Sequence, residues 1–140
     1  MDRGRCITQL TCFANDTLDE ETRSQMGLWL YGCDGCQDAC PQNKDKFKES
    51  EEYPLLREYE VYLRPEGLLE MDENTYLNVI NPRFWYAGKD KLWLWKCNAL
   101  RHMVNSRDPE YHSLIKKSCD HEDARVRDVA QWGMRKLGIG

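Results

Sequence analysis

An all-α fold is what this sequence of 140 residues predicts, and three observations predict it. Helix-start chemistry recurs along the chain. Apolar residues in the last third return every three or four positions, not every two. Two of the helices so defined echo one another, with Trp95, Lys96, Ala99 and Met103 standing 31 positions before Val126, Arg127, Ala130 and Met134. At 41% hydrophobic and 31% charged, the composition is that of a folded chain with one modest core. No apolar run reaches membrane-spanning length, and MDRGRCITQL lacks the apolar stretch of a signal peptide, so a cytoplasmic location is expected.

Each element follows from local chemistry. Thr17-Leu18-Asp19-Glu20 reads as a capping box, with Thr17 as N-cap of a helix over 17–26 and Gly27 at its C′ position. Gly32, Gly35 and Pro41 then interrupt LWLYGCDGCQDACPQN, predicting an irregular loop. Residues 44–52 are charged without apolar periodicity, a solvated helix or linker. Apolar positions 55, 56, 59 and 63 predict a short helix or packed loop, punctuated by Pro65 and Gly67. Asp72 caps a helix through Ile80 that Asn81-Pro82 ends.

Between Lys91 and Asn105, Leu92, Trp95, Ala99 and Met103 occupy one face and Trp93, Cys97, Leu100 and Val104 another, so this helix packs between neighbours. Asp108-Pro109 starts the next helix. The final one carries Val126, Val129, Ala130, Gly133, Met134 and Leu137. The 31-residue echo predicts a short stack of helix pairs of HEAT type.

Charge is uneven: residues 1–88 carry 9 Lys+Arg against 17 Asp+Glu, and residues 89–140 carry 11 against 7. A basic half can attract phosphates, but so small a surplus on helices reads as a solvated face. There is no P-loop, dinucleotide fingerprint or Ser-His-Asp order, so no catalytic residue is assigned. His102, His112 and His121 share no i, i+4 pairing and read as surface or cap residues. The aromatics Trp29, Tyr31, Phe84, Trp85, Tyr86, Trp93 and Trp95 read as core in preference to a nucleotide-stacking platform.

The chemistry lies in the cysteines. Seven is an odd number, unsuited to a closed disulfide framework, and clustered cysteines in a reducing compartment bind metal or do redox work. GCDGCQDACP places Cys33, Cys36 and Cys40 in a C-x2-C-x3-C-P pattern, one ligand short of the C-x2-C-x2-C-x3-C-P run of bacterial ferredoxins. In those patterns the cysteine before proline serves a second cluster. Cys6 and Cys12 are both candidates for a further ligand, and tetrahedral zinc is the rival metal. Cys12, Cys97 and Cys119 otherwise read as small packing residues. The chain thus divides into an irregular, partial ferredoxin-like iron–sulfur segment over 1–50 and a HEAT-like helical region over 51–140.

RCITQLT, the helix ending in MG, and GCDGCQDACPQN together resemble the second cluster motif of the epoxyqueuosine reductase family and related double-cluster [4Fe–4S] proteins. LLEMDENTYLNVI, LWLWKCNALRHMVN and HEDARVRDVAQWGMRKLG resemble that family's C-terminal helical region, so nearly all of the chain is covered. The resemblance implies that Cys6, Cys33 and Cys36 ligate one [4Fe–4S] cluster and Cys40 a second. It implies electron transfer within a cobalamin-dependent reduction of epoxyqueuosine in tRNA, with the helical region beside the RNA.

The chain departs from the family pattern in lacking the upstream cysteine run and the large N-terminal domain that binds cobalamin and carries the catalytic acid. Gln42 stands where the family commonly has Trp. The chain is therefore expected to be part of an oxidoreductase and not a complete enzyme, with cobalamin reached only through a missing domain or partner subunit. Either that partner completes both clusters, or Cys40 turns inward to form one site with Cys6, Cys33 and Cys36. Loss of metal would leave the loop empty or disulfide-bonded. The alternative function is a non-catalytic helical interaction module whose cysteine loop is structural, vestigial or zinc-binding.

Overall fold

The computed structural model of the chain describes residues 3–46 and 56–140. Its regular elements there are all helical: α1 (Ile7–Cys12), α2 (Glu20–Gln25), α3 (Gly35–Asp38), α4 (Leu56–Leu63), α5 (Pro65–Glu70), α6 (Glu73–Thr75), α7 (Leu92–Ser106), α8 (His112–Ser118) and α9 (Ala124–Leu137). Short 3₁₀ turns precede α1 and α8 and follow α3. The all-α expectation holds. The expected segment boundary at 50/51, and most of the expected charged linker over 44–52, lie outside the described residues.

α7 is the axis of the molecule. With apolar side chains around most of its circumference, it can be stable only if neighbours cover it on several sides. α5 and α9 flank it, and α1, α2 and α8 also touch it. Trp95, Ala99 and Met103 of one predicted face and Trp93, Cys97, Leu100 and Val104 of the other are all buried. Tyr76, Ile80, Ile115, Val126 and Ala130 complete the same core. Where α9 crosses α7, Gly133 allows close approach: a Cβ there would lie 2.5 Å from Val104 Cγ2 and 3.2 Å from Ile115 Cγ2.

Several boundaries differ from the expected ones for identifiable reasons. The N-cap of α2 is Asp19, not Thr17. Its carboxylate accepts from both the Thr22 N–H (2.9 Å) and the Thr22 hydroxyl (2.7 Å), two bonds that a threonine cap could not accept in this way. Thr17 instead donates its N–H to Asp16 (2.7 Å). Pro65 punctuates the chain as expected: α4 ends at Leu63, Arg64 is extended, and Pro65 opens α5 at N1, where its missing N–H is harmless, whereas Gly67 makes no break. Gly67 lies within that helix because any Cβ would collide with the Val61 carbonyl. Asp72 caps α6 as expected, accepting from Thr75 N–H (2.6 Å). The helix then widens to a π-helical turn, Tyr76–Ile80, before Asn81 ends it.

The C-terminal half follows the sequence closely. Asp108 accepts from the Glu110 N–H (3.0 Å) and opens the 3₁₀ turn ahead of α8. Asp123 caps α9, accepting from the Arg125 N–H (2.9 Å) and from its guanidinium (2.7 Å). Gly138, at φ +65°, closes that helix in the left-handed region that favours glycine.

Gly133→Ala is expected to destabilise the protein by about 1–3 kcal/mol through overpacking, read as a lower denaturant midpoint at unchanged slope. Asp123 is held below the usual carboxylate range chiefly by its bond to Arg125. Its contribution is therefore present above the unfolded carboxylate value of about 4 and lost as pH falls through the lower folded value. Asp123→Asn should flatten the acid limb of a plot of melting temperature against pH.

Candidate metal centre

Four cysteines were selected from the sequence: one precedes α1, three lie in and around α3, and the two segments meet at one backbone junction. Cys6 is the extended N-cap residue of α1. The Cys33 backbone meets that helix's first turn, where the Thr8 hydroxyl donates to the Cys33 carbonyl (3.3 Å). Gly32, at φ +69°, makes the bend that delivers Cys33 there. Cys36 lies exposed in α3, one short turn further on. Cys40 is half-buried at the entrance to the 3₁₀ turn Pro41–Asn43, in extended conformation.

The predicted loop over 28–43 is thus more structured than expected. Asp34 accepts the N–H groups of Gln37 (2.7 Å) and Asp38 (3.0 Å) through its carbonyl. Asn43 folds its amide back onto the Gln37 carbonyl (3.1 Å) and side chain (3.0 Å).

The other cysteines sit apart. Cys12 and Cys97 are buried, and burial pushes the Cys97 thiol up to about 12, so it stays protonated at neutral pH. Cys119 is half-buried, raised by the same cause, and its thiol points to the Ile115 carbonyl (3.6 Å). These three pack as the sequence suggested.

The junction has no core of its own, and α7 anchors it. Asn98 donates to the Thr11 carbonyl (2.9 Å). Arg101 donates to the Trp29 carbonyl. His102 meets the Leu28 carbonyl through Nδ1 (2.8 Å). Asn105 donates to the carbonyls of Arg23 (2.9 Å) and Gly27 (3.0 Å). Lys91, at the N-cap, reaches Ala14 (2.8 Å).

His102, half-buried at the surface, is thus also a tie to the loop. The seam of 98, 101, 102 and 105 falls on one helical face, a spacing visible in the sequence but overlooked because the residues are polar. Arg101 is almost wholly buried, and burial lowers its guanidinium to about 10, which leaves it charged at neutral pH. Arg23, also buried, forms an ion pair with Asp128 of α9 and lies 5.7 Å from the Trp132 ring.

The aromatics divide. Trp93 and Trp95 are core, and Tyr31 stacks on Trp95 at 4.0 Å, with Phe84 edge-on to both. Trp29, Trp85 and Tyr86 are exposed, Trp85 at 80%, so the expectation that all seven are core fails for these three. Asn81 and Tyr76 hold the ends of the loop that carries Trp85 and Tyr86, through the carbonyls of Ala87 (2.8 Å) and Gly88 (2.7 Å). That loop has no helix period to bury alternate rings.

Chemically, Cys6, Cys33, Cys36 and Cys40 suit a soft, thiolate-bound metal or cluster. All four are free thiols, and all but Cys36 are half-buried. Cys33 Sγ already accepts the Gly35 N–H (3.4 Å), the kind of bond that tunes cluster potential. Among the described residues no three His, Cys, Asp or Glu side chains stand at metal-binding spacing. The donors and their backbone support fit a thiolate-ligated group, while the final coordination shell would need the cysteine side chains to turn.

No protein-family model matches the chain. An epoxyqueuosine reductase of Bacillus subtilis strain 168 is 29% identical over 157 residues, an alignment that takes in 99% of this chain and 35% of that protein. The chain is homologous to the C-terminal part of epoxyqueuosine reductases. Alignments with seven such reductases take in between 12% and 39% of their length. A Geobacillus stearothermophilus protein, described as an uncharacterized protein in the gldA 3′ region, is 46% identical over 147 residues, covering 99% of this chain and 63% of its own. The fold matches that of an epoxyqueuosine reductase solved with a modified tRNA stem loop, at TM-score 0.70 and 24% identity, over 99% of this chain and 36% of that one.

In the metal-free protein at about pH 8, iodoacetamide should modify Cys36 first and Cys12 and Cys97 only on unfolding, as read by peptide mass mapping. Equal rates at Cys36 and Cys97 would contradict the burial described.

Proposed function

We propose that the chain is an iron–sulfur electron-transfer module corresponding to the C-terminal part of an epoxyqueuosine reductase. The observation that carries this reading is the junction itself, where Thr8, two residues after the α1 cap Cys6, donates to the carbonyl of Cys33 in the glycine-turned loop. Similarity to epoxyqueuosine reductases over 99% of this chain supports it. Cys6, Cys33 and Cys36 would hold one [4Fe–4S] cluster, and Cys40, turned by Pro41, would face a second. A bound cluster supplies single-electron chemistry whose potential depends on burial and on hydrogen bonds to sulfur.

What this chain's residues contribute is placement: the Gly35 N–H on Cys33 Sγ, the Asn43 brace on the loop, and the α7 ties beneath it. The remaining ligands, and cobalamin, would come from a further domain or partner subunit. The segment over 1–50 acts as the partial ferredoxin-like unit and 51–140 as a HEAT-like support, placed beside a tRNA substrate in the cytoplasm. No helix of the described residues is long and apolar enough to cross a membrane.

Anaerobic reconstitution with iron and sulfide should produce broad visible absorbance, and Cys33→Ser or Cys36→Ser should abolish it. Stoichiometric zinc uptake with no iron would sink the proposal.

A further inference from the structure

Thr11 was not singled out by any motif, yet its side chain is completely buried and fully used. Its hydroxyl donates to the Ile7 carbonyl (2.8 Å), in the residue directly after Cys6. The same oxygen accepts the N–H of Gly32 (3.0 Å), in the residue directly before Cys33. Its own carbonyl accepts from Asn98 of α7 (2.9 Å). One buried hydroxyl therefore joins the neighbours of two cysteines that lie far apart in sequence, and α7 holds that hydroxyl in place. Serine and threonine often return a hydroxyl to the carbonyl four residues back. The additional Gly32 bond is what makes this one a link between segments.

We infer that Thr11 is a positioning residue that sets the spacing of Cys6 and Cys33, so that both thiols address one metal or cluster. The inference rests on the cluster reading for its purpose, but its geometry can be tested without metal. Valine matches the shape of threonine and removes both bonds, whereas serine keeps them. The probe is dibromobimane, which bridges two thiols only when they lie close together. It is applied to the full-length, reduced, metal-free chain, and the products are mapped by mass.

The readout is the ratio of Cys6–Cys33 bridges to Cys33–Cys36 bridges, since the second pair lies within the loop and does not depend on Thr11. Wild type and Thr11→Ser should give the same ratio, and Thr11→Val should lower it about tenfold, the scale on which small displacements of reacting groups act. An unchanged ratio in Thr11→Val, or a fall as large in Thr11→Ser, overturns the inference. If Thr11→Val loses its helical circular dichroism, Thr11→Ala, which removes the same two bonds without the valine methyl groups, decides by the same ratio. An intact pattern of ratios in a chain that takes up no iron supports the placement and counts only against the cluster reading.

Discussion

Side chains on a single helix, α7, hold the main chain of residues 11–29 through carbonyl oxygens: Lys91, Asn98, Arg101, His102 and Asn105. This seam is the constraint on which the rest depends. The opposite sides of α7 are buried against α5 and α9, so the helix cannot rotate to release its polar face without opening the core. Among its described residues the N-terminal segment has only Cys12 and Met26 as fully buried hydrophobic residues, and Ala14, Leu30 and Tyr31 lean on the core that α7 forms. Its geometry is therefore borrowed from α7. Donating to carbonyls suits the task, because each bond fixes backbone position whatever side chain the segment carries there. Arg101 shows how strongly the arrangement is enforced: burying a guanidinium is costly, and the return is a charged donor on the Trp29 carbonyl.

The arrangement divides labour between chemistry and support. Cysteines that could meet a metal lie on short, half-exposed elements, where side chains can turn without disturbing a core. The core cysteine, Cys97, is kept protonated by the same burial that makes it useful for packing. Homology to epoxyqueuosine reductases runs through both parts, so the scaffold and the cysteine segment form one unit of similarity.

Much of the fold was legible because its logic is local. Apolar spacing located α7 and α9, and Asp72 and Asp108 announced their helices by a side chain competent to accept the first free N–H groups. Legibility failed where two local signals competed or the decisive contact was distant. Thr17 fits the capping-box pattern, but Asp19 can accept both the N–H and the hydroxyl of Thr22, and it takes the cap. Gly67 looks like a breaker until the Val61 carbonyl is seen to leave no room for a side chain. At the candidate site the cysteine spacing was plain in the sequence. The role of Thr11 was invisible, since its partners lie 21 and 87 positions away. Polar residues on a helix suggest solvent, and nothing local marks 98, 101, 102 and 105 as an anchoring face.

The bonds between α2 and α9 bear on the order in which the molecule assembles. Arg23 with Asp128, Glu20 with Arg135 and Ser24 with Lys136 join positions separated by 105, 115 and 112 residues. Loop closure over such spans is entropically costly and is repaid only once a surface exists to receive the segment. Contacts among α7, α8 and α9 are local by comparison and can form first. The α2 segment therefore gains its hold only where α9 is already in place to receive it. A lesion in α9 that removed Asp128, Arg135 or Lys136 would loosen α2, and so reach the segment that carries the cysteines without touching any of them.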